Sequence, residues 1–184
     1  KLSTILGWGY RAEASSDTKE LERFDFFKAK IINYQFNELV NESGDFHLFD
    51  LSYSEGAFIS KDDIVSSFLL INLKFDIPVF ILDRENLLGG INENTVYKDL
   101  DFQKHPDFSK RFFLGGKKAS EIRSLFDSKL IFFFESHAYF RVESVGRSIL
   151  IKGKSRLSSI QEIKQLLAFS TELMSIINNK YLDK

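Results

Sequence analysis

The sequence predicts an α+β domain: a mostly antiparallel sheet, a middle helix over about residues 119–135, and a long C-terminal helix over about 159–179. Short apolar segments with a period of two, parted by Gly-, Ser-, Asn- and Asp-rich turns, give the strands. Two segments of the second half carry apolar residues at helical spacing instead. No internal repeat, low-complexity tract or linker interrupts the 184 residues, so 1–184 reads as a single domain.

Each element follows from its residues. Lys1–Leu6 has room for the end of a helix that Gly7 would terminate. "EASSDTKE", 13–20, is a loop or exposed edge. In "IINYQFNELV", Ile32, Tyr34 and Phe36 alternate with Asn33, Gln35 and Asn37, the pattern of a half-buried strand. "NESGD", 41–45, is turn chemistry, and "FHLFDLSY", 46–53, completes a hairpin. After a turn at 54–56, Val65, Leu69, Ile71, Leu73 and Phe75 share a face, with Ser67 as the exception. Pro78 opens the short strand "VFIL". Residues 89–107 form a polar crossover, and "FSKRFFLGG" is a strand ending in a Gly-Gly turn.

The middle helix is "ASEIRSLFDSKLIFFFE", with Ile122, Leu125, Phe126, Leu130 and Phe133 on one stripe. "YFRVESVGRSILIK" is a hairpin pivoting on Gly146. In the last helix Ser159 and Glu162 fit a capping box. Its stripe is Ile160, Ile163, Leu166, Leu167, Leu173, Met174 and Ile177.

Composition narrows the function. Twenty Phe residues point to a core built on rings. A net charge of −1 gives no global field to recruit nucleic acid. The lack of cysteine excludes disulfides, thiol nucleophiles and Cys-ligated metals. No apolar run reaches the ~18 residues of a membrane span. The chain begins at Lys1, so an upstream signal peptide or membrane anchor is expected.

The densest polar stretch is 101–126, which contains Asp101, His105, Asp107, Arg111 and Arg123. Its Gly115-Gly116 pair reads as a tight strand-to-helix turn, since no Walker spacing surrounds it. His47, His105 and His137 are lone residues in separate segments, which disfavours a histidine metal site. A nuclease reading of Pro106-Asp107 with Glu162–Lys164 fails because the latter lies in the first turn of a helix. Acids at 45, 50, 55, 62, 63, 99, 101 and 107 are mostly turn residues. Asp50 differs: it sits within an apolar strand and needs a partner. Arg111, Arg123 and Arg141 are candidates, and Arg111 ranks first because "RFFL" is expected in the same sheet.

The order "FDLSYSEG", "PVFILDREN", "DFQKHPDFSKRFFLGG", "EIRSLF", "FFFE" and "RVESVGRSILI" resembles a group of uncharacterised bacterial proteins with a domain of unknown function. Their pattern runs Phe-Asp-x-x-Tyr, Pro-x-Phe-x-Leu-x-x-Glu, Phe-x-x-x-Pro-x-Phe-Ser, an Arg-x-Leu-Phe helix and a Val-Glu-x-x-Gly hairpin. The lead-in "LSTILGWGY" fits too, whereas Ala119-Ser120 stands where that group has an acidic pair. The resemblance implies a soluble domain that follows membrane-spanning segments, on the cytoplasmic side, and carries no activity or cofactor with it.

Two functions compete. The first is a non-enzymatic interaction or regulatory domain at a membrane surface, with a protein partner or a second copy, no nucleic acid and no cofactor. The second is a metal-dependent hydrolase using Asp45, Asp50, Asp101 or Asp107. Lipid or small-ligand binding in a cleft between sheet and helix is a third, which the Phe-rich composition permits.

Overall fold

The computed structural model describes residues 2–13, 18–55, 63–85, 97–153 and 155–182. Its centre is one eight-stranded, wholly antiparallel sheet. Helix α1 (Leu2–Leu6) ends at Gly7, whose φ of 67° only glycine adopts freely, and leads into β1 (Gly9–Glu13). Helix α2 (Thr18–Leu21) and a 3-10 turn (Asp25–Phe27) follow. Strands β2 (Lys30–Val40), β3 (Phe46–Glu55) and β4 (Asp63–Asn72) then form a meander beside β1. The chain continues through β5 (Phe80–Arg84), α3 (Pro106–Arg111), β6 (Phe112–Gly116), α4 (Ala119–Leu125) and α5 (Ser128–Ser136). Hairpin β7 (Arg141–Val145) and β8 (Ser148–Lys152) precedes α6 (Ile160–Leu182). The spatial order is β1-β2-β3-β4-β8-β7-β5-β6.

Alternation along the strands builds two cores. Leu48, Leu69, Ile149 and Ile151 face the helices α3–α6 with Phe108, Phe126, Phe134, Leu166 and Phe169. Phe49, Leu51, Phe68 and Leu150 point the other way, under Leu21, Phe24 and Phe27. Beneath that second layer Phe26 N–H donates to Glu143 Oε2 at 3.2 Å, and Arg141 Nε donates to Glu143 Oε1 at 2.7 Å. Arg141 and Tyr139 also contact Asp83. Burial pushes the Glu143 carboxyl up against the pull of Arg141, and burial lowers Lys152.

The expected α+β class and both helical regions stand in the structure, with local corrections. "FSKR" is helical, not strand: Pro106 opens α3 with its φ preset, and Phe108 is fully buried. Gly115 and Gly116 remain in β6, paired with Ile81 and Phe80, so the bend falls at Lys117. The middle helix is broken, because Asp127 caps α5 by accepting from Leu130 N–H at 3.0 Å. In β2, irregularities between Ile32 and Tyr34 and between Phe36 and Leu39 shift the alternation, leaving Tyr34 exposed and Gln35 buried. On α6 the stripe is rotated: Ile160 is exposed, whereas Phe169 and Ile176 are buried. The capping box is present, with Ser159 Oγ accepting from Glu162 N–H at 3.2 Å. Asp62 and residues 89–96 of the crossover lie outside the described residues.

Candidate functional site

Helices α3–α6 cover the β4–β6 side of the sheet. Toward β1–β3 the same face opens into a cleft of about 310 Å³, whose lining includes Leu157 just before α6, Ile163 in its first turn and Ser3 of α1. That volume lies at the small end of ligand sites.

Asp50 forms the polar floor. Its strand is buried on both faces, and Asp50 itself is 8% exposed. Three donors converge on the carboxylate. Ser67 Oγ, opposite it on β4, donates to Oδ1 at 2.6 Å. Asn37 Nδ2 and Arg156 Nε donate to Oδ2 at 3.0 and 2.9 Å. The network extends outward: Tyr10 Oη–H donates to Asn37 Oδ1 at 3.0 Å, and Leu157 N–H donates to Ser67 Oγ at 2.9 Å. The guanidinium of Arg156 lies 5.5 Å from the Phe36 ring.

Asn37 carries the one positive φ of a non-glycine residue among those described, 53°, inside the β2 irregularity. Such a conformation costs about 1–3 kcal/mol and persists where its surroundings over-determine it. Here the turned backbone aims the amide between Tyr10 and Asp50.

Arg156, not Arg111, Arg123 or Arg141, is thus the arginine on Asp50. Arg111 instead donates to Glu135 O at 2.8 Å and lies over Phe112. Arg123 donates to Asp101 O at 2.7 Å and lies over Phe102. Nothing in the sequence marks Arg156, which sits in the irregular link between β8 and α6. Ser67 was marked: a hydroxyl on an apolar face sits across from the lone acid of the neighbouring strand.

The polar stretch 101–126 folds as an elbow that brings Asp101, His105 and Arg123 around a second, shallower cleft of about 490 Å³. His105 Nε2 lies 3.1 Å from Ser128 Oγ, and Asp107 occupies the exposed first turn of α3. Asp99 accepts from Leu114 and Leu100 N–H, pinning the elbow to the outer edge of β6. Burial pushes the Asp99 carboxyl up against those two bonds. Asp45 belongs to the β2–β3 turn, held by Ser43. Among the described residues no three His, Asp or Glu side chains converge as metal ligands. Asp45 thus lies in the β2–β3 turn, Asp50 on β3, Asp101 before α3 and Asp107 on α3.

Asp50→Asn tests the floor. An amide offers one oxygen to donors that arrive on both carboxylate oxygens, so one bond is lost and the charge with it. Arg156 is half exposed, which screens the pair. The expected cost is about 1–3 kcal/mol, seen as a fall of about 2–12 °C in Tm with the chain still folded. An unchanged Tm would show that the network adds nothing to stability.

No protein-family model and no curated protein matches the chain. Among solved structures, the crystal structure of the mycobacterial trehalose monomycolate transport factor A, TtfA, is similar, with a TM-score of 0.67 and 11% identity. The alignment covers 96% of this chain and 90% of that chain. The likeness is one of fold.

Proposed function

We propose that this chain is a non-enzymatic interaction domain working at a membrane surface, and that the Asp50 cleft is its contact site. The observation that carries the reading is the fixed hydrogen-bond network of the cleft floor, in which Ser67, Asn37 and Arg156 all hold Asp50. Ser67, the one hydroxyl beside an acid there, donates to Asp50 and accepts from Leu157. Its one basic neighbour is Asp50, because the described lining residues include no His, Cys, Lys or Glu. Asp50 is tied to an arginine, which favours a fixed carboxylate over a proton shuttle. Such a floor holds shape and recognises.

Support for the membrane setting comes from two sides. The sequence resembles domains that follow membrane-spanning segments, and the similar fold is that of a protein named as a transport factor. Among the described helices none is long and apolar enough to cross a membrane, so attachment would come through another segment or a partner.

Photo-crosslinking in cells tests both parts. A crosslinking amino acid in place of Tyr10, at the cleft mouth, is expected to capture a species of the membrane fraction. The same group in place of Phe132, exposed on α5, is expected to capture little. Recovery of the natural full-length protein away from membranes would remove the membrane reading. Equal yields from both positions would remove the cleft.

A further inference from the structure

We infer that the Asp50 cleft takes an uncharged, polyhydroxylated group, either a free saccharide or the sugar headgroup of a lipid. This rests on the reading of the cleft as the contact site and adds the chemistry of what enters it.

The argument starts from the capacity the network leaves unused. Arg156 spends Nε on Asp50, and both its Nη groups make no hydrogen bond to the described residues. Asn37 has a second amide hydrogen beyond the one given to Asp50. These are donors. On the acceptor side, Tyr10 Oη gives its hydrogen to Asn37 and keeps its lone pairs. Asp50 Oδ1 receives Ser67 alone and keeps a site as well. Donors and acceptors thus alternate around one small space.

Charge then selects among ligands. Asp50 and Arg156 cancel, so the floor has no net sign. A carboxylate or phosphate could meet the Arg156 fork, but it would set its charge against Asp50 and the Tyr10 lone pairs. An ammonium group would satisfy Asp50 and oppose Arg156. A hydroxyl both donates and accepts, and so matches every unused group without charge conflict. Leu39, Leu48, Leu157 and Ile163 supply apolar wall for the C–H faces of a ring, and Tyr10, 53% exposed, offers its face at the mouth.

The experiment is a titration of the chain with glucose and maltose, against gluconate and glucosamine as anionic and cationic counterparts. Amide NMR shifts locate binding, and the sole tryptophan, Trp8, two residues from Tyr10, reports it by fluorescence. A second arm uses phosphatidylcholine vesicles with and without a glucosyl lipid. The expected result is a Kd of about 1 mM or tighter for a neutral sugar, free or lipid-borne, with shifts at residues 10, 37, 50 and 157, and at least about tenfold weaker binding of the charged analogues. Preference between free sugar and vesicle identifies the source. Tyr10→Phe, and Asn37→Gly, which keeps the positive φ without strain, should each weaken binding about 3- to 10-fold. His105→Ala in the second cleft should leave it unchanged. Gluconate or glucosamine binding as tightly as glucose overturns the inference. So does a crosslink from position 10 with no sugar binding in either arm, and the cleft then remains a contact site for something else. Absence of both removes the cleft reading as well.

Discussion

Leu166→Asp is expected to leave the chain unfolded under conditions where the unaltered protein melts cooperatively. Leu166 is 1% exposed in the N-terminal third of α6, in the core shared by Phe133, Phe134 and Phe169. Loss of the leucine alone should cost about 2–5 kcal/mol. The carboxylate adds the penalty of a charge placed in an apolar core, several kcal/mol more. Total stability of a domain is about 5–15 kcal/mol, so the sum is comparable to the whole. Far-UV circular dichroism with a thermal melt reads the outcome. Leu166→Met, which conserves volume, should cost under about 1.5 kcal/mol. A cooperative melt of Leu166→Asp within a few degrees of the unaltered chain would mean that α6 is not anchored where the structure places it.

Gly116→Ala comes next in size. A Cβ at Gly116 would lie 2.1 Å from Val79 O, 2.6 Å from Ile122 Cδ1 and 3.0 Å from Phe80 Cα. Two of those atoms are backbone, fixed by the β5–β6 pairing that sets Gly116 opposite Phe80. The ladder must part to admit one methyl group, at a cost of about 3 kcal/mol or more. For a chain of this size that lowers Tm by about 6–12 °C. Gly7→Ala is the comparison. Its Cβ would meet nothing within 4 Å, and only its φ of 67° resists, for about 1–2 kcal/mol. If the two glycine variants melt alike, close approach at Gly116 is not what requires glycine there.

The same glycine shows where local sequence stops being informative. Gly115-Gly116 before a helix reads as a turn, since turn chemistry is the common local reason for such a pair. The reason here is contact with a strand more than thirty residues earlier, and no local pattern carries that. Strand β2 makes a similar point. Its alternation is visible, but two irregularities shift the phase, so Tyr34 is out and Gln35 is in. Bulges answer to the neighbouring strand, and a register slip reverses every face beyond it.

Asp50 divides the two kinds of information within one residue. Its need for a partner was legible, because a carboxylate among Phe46, Leu48, Phe49 and Leu51 cannot stay buried unpaired. Which arginine answers was not. Arg111 and Arg123 cover rings and bond carbonyls 24 and 22 positions away, while the chain brings Arg156 to Asp50 from 106 positions away.

Periodicity, turn residues and a capping box are short-range properties, and by themselves they determined the α+β class, the first and last hairpins and the long final helix. The strand order, the split of the middle helix, the strained Asn37 and the cleft that Tyr10, Asn37, Asp50, Ser67 and Arg156 share were decided by tertiary structure alone. The reason is physical. Burial and hydrogen-bond satisfaction act between groups close in space, and the chain brings those groups together only once the sheet has closed its long loops.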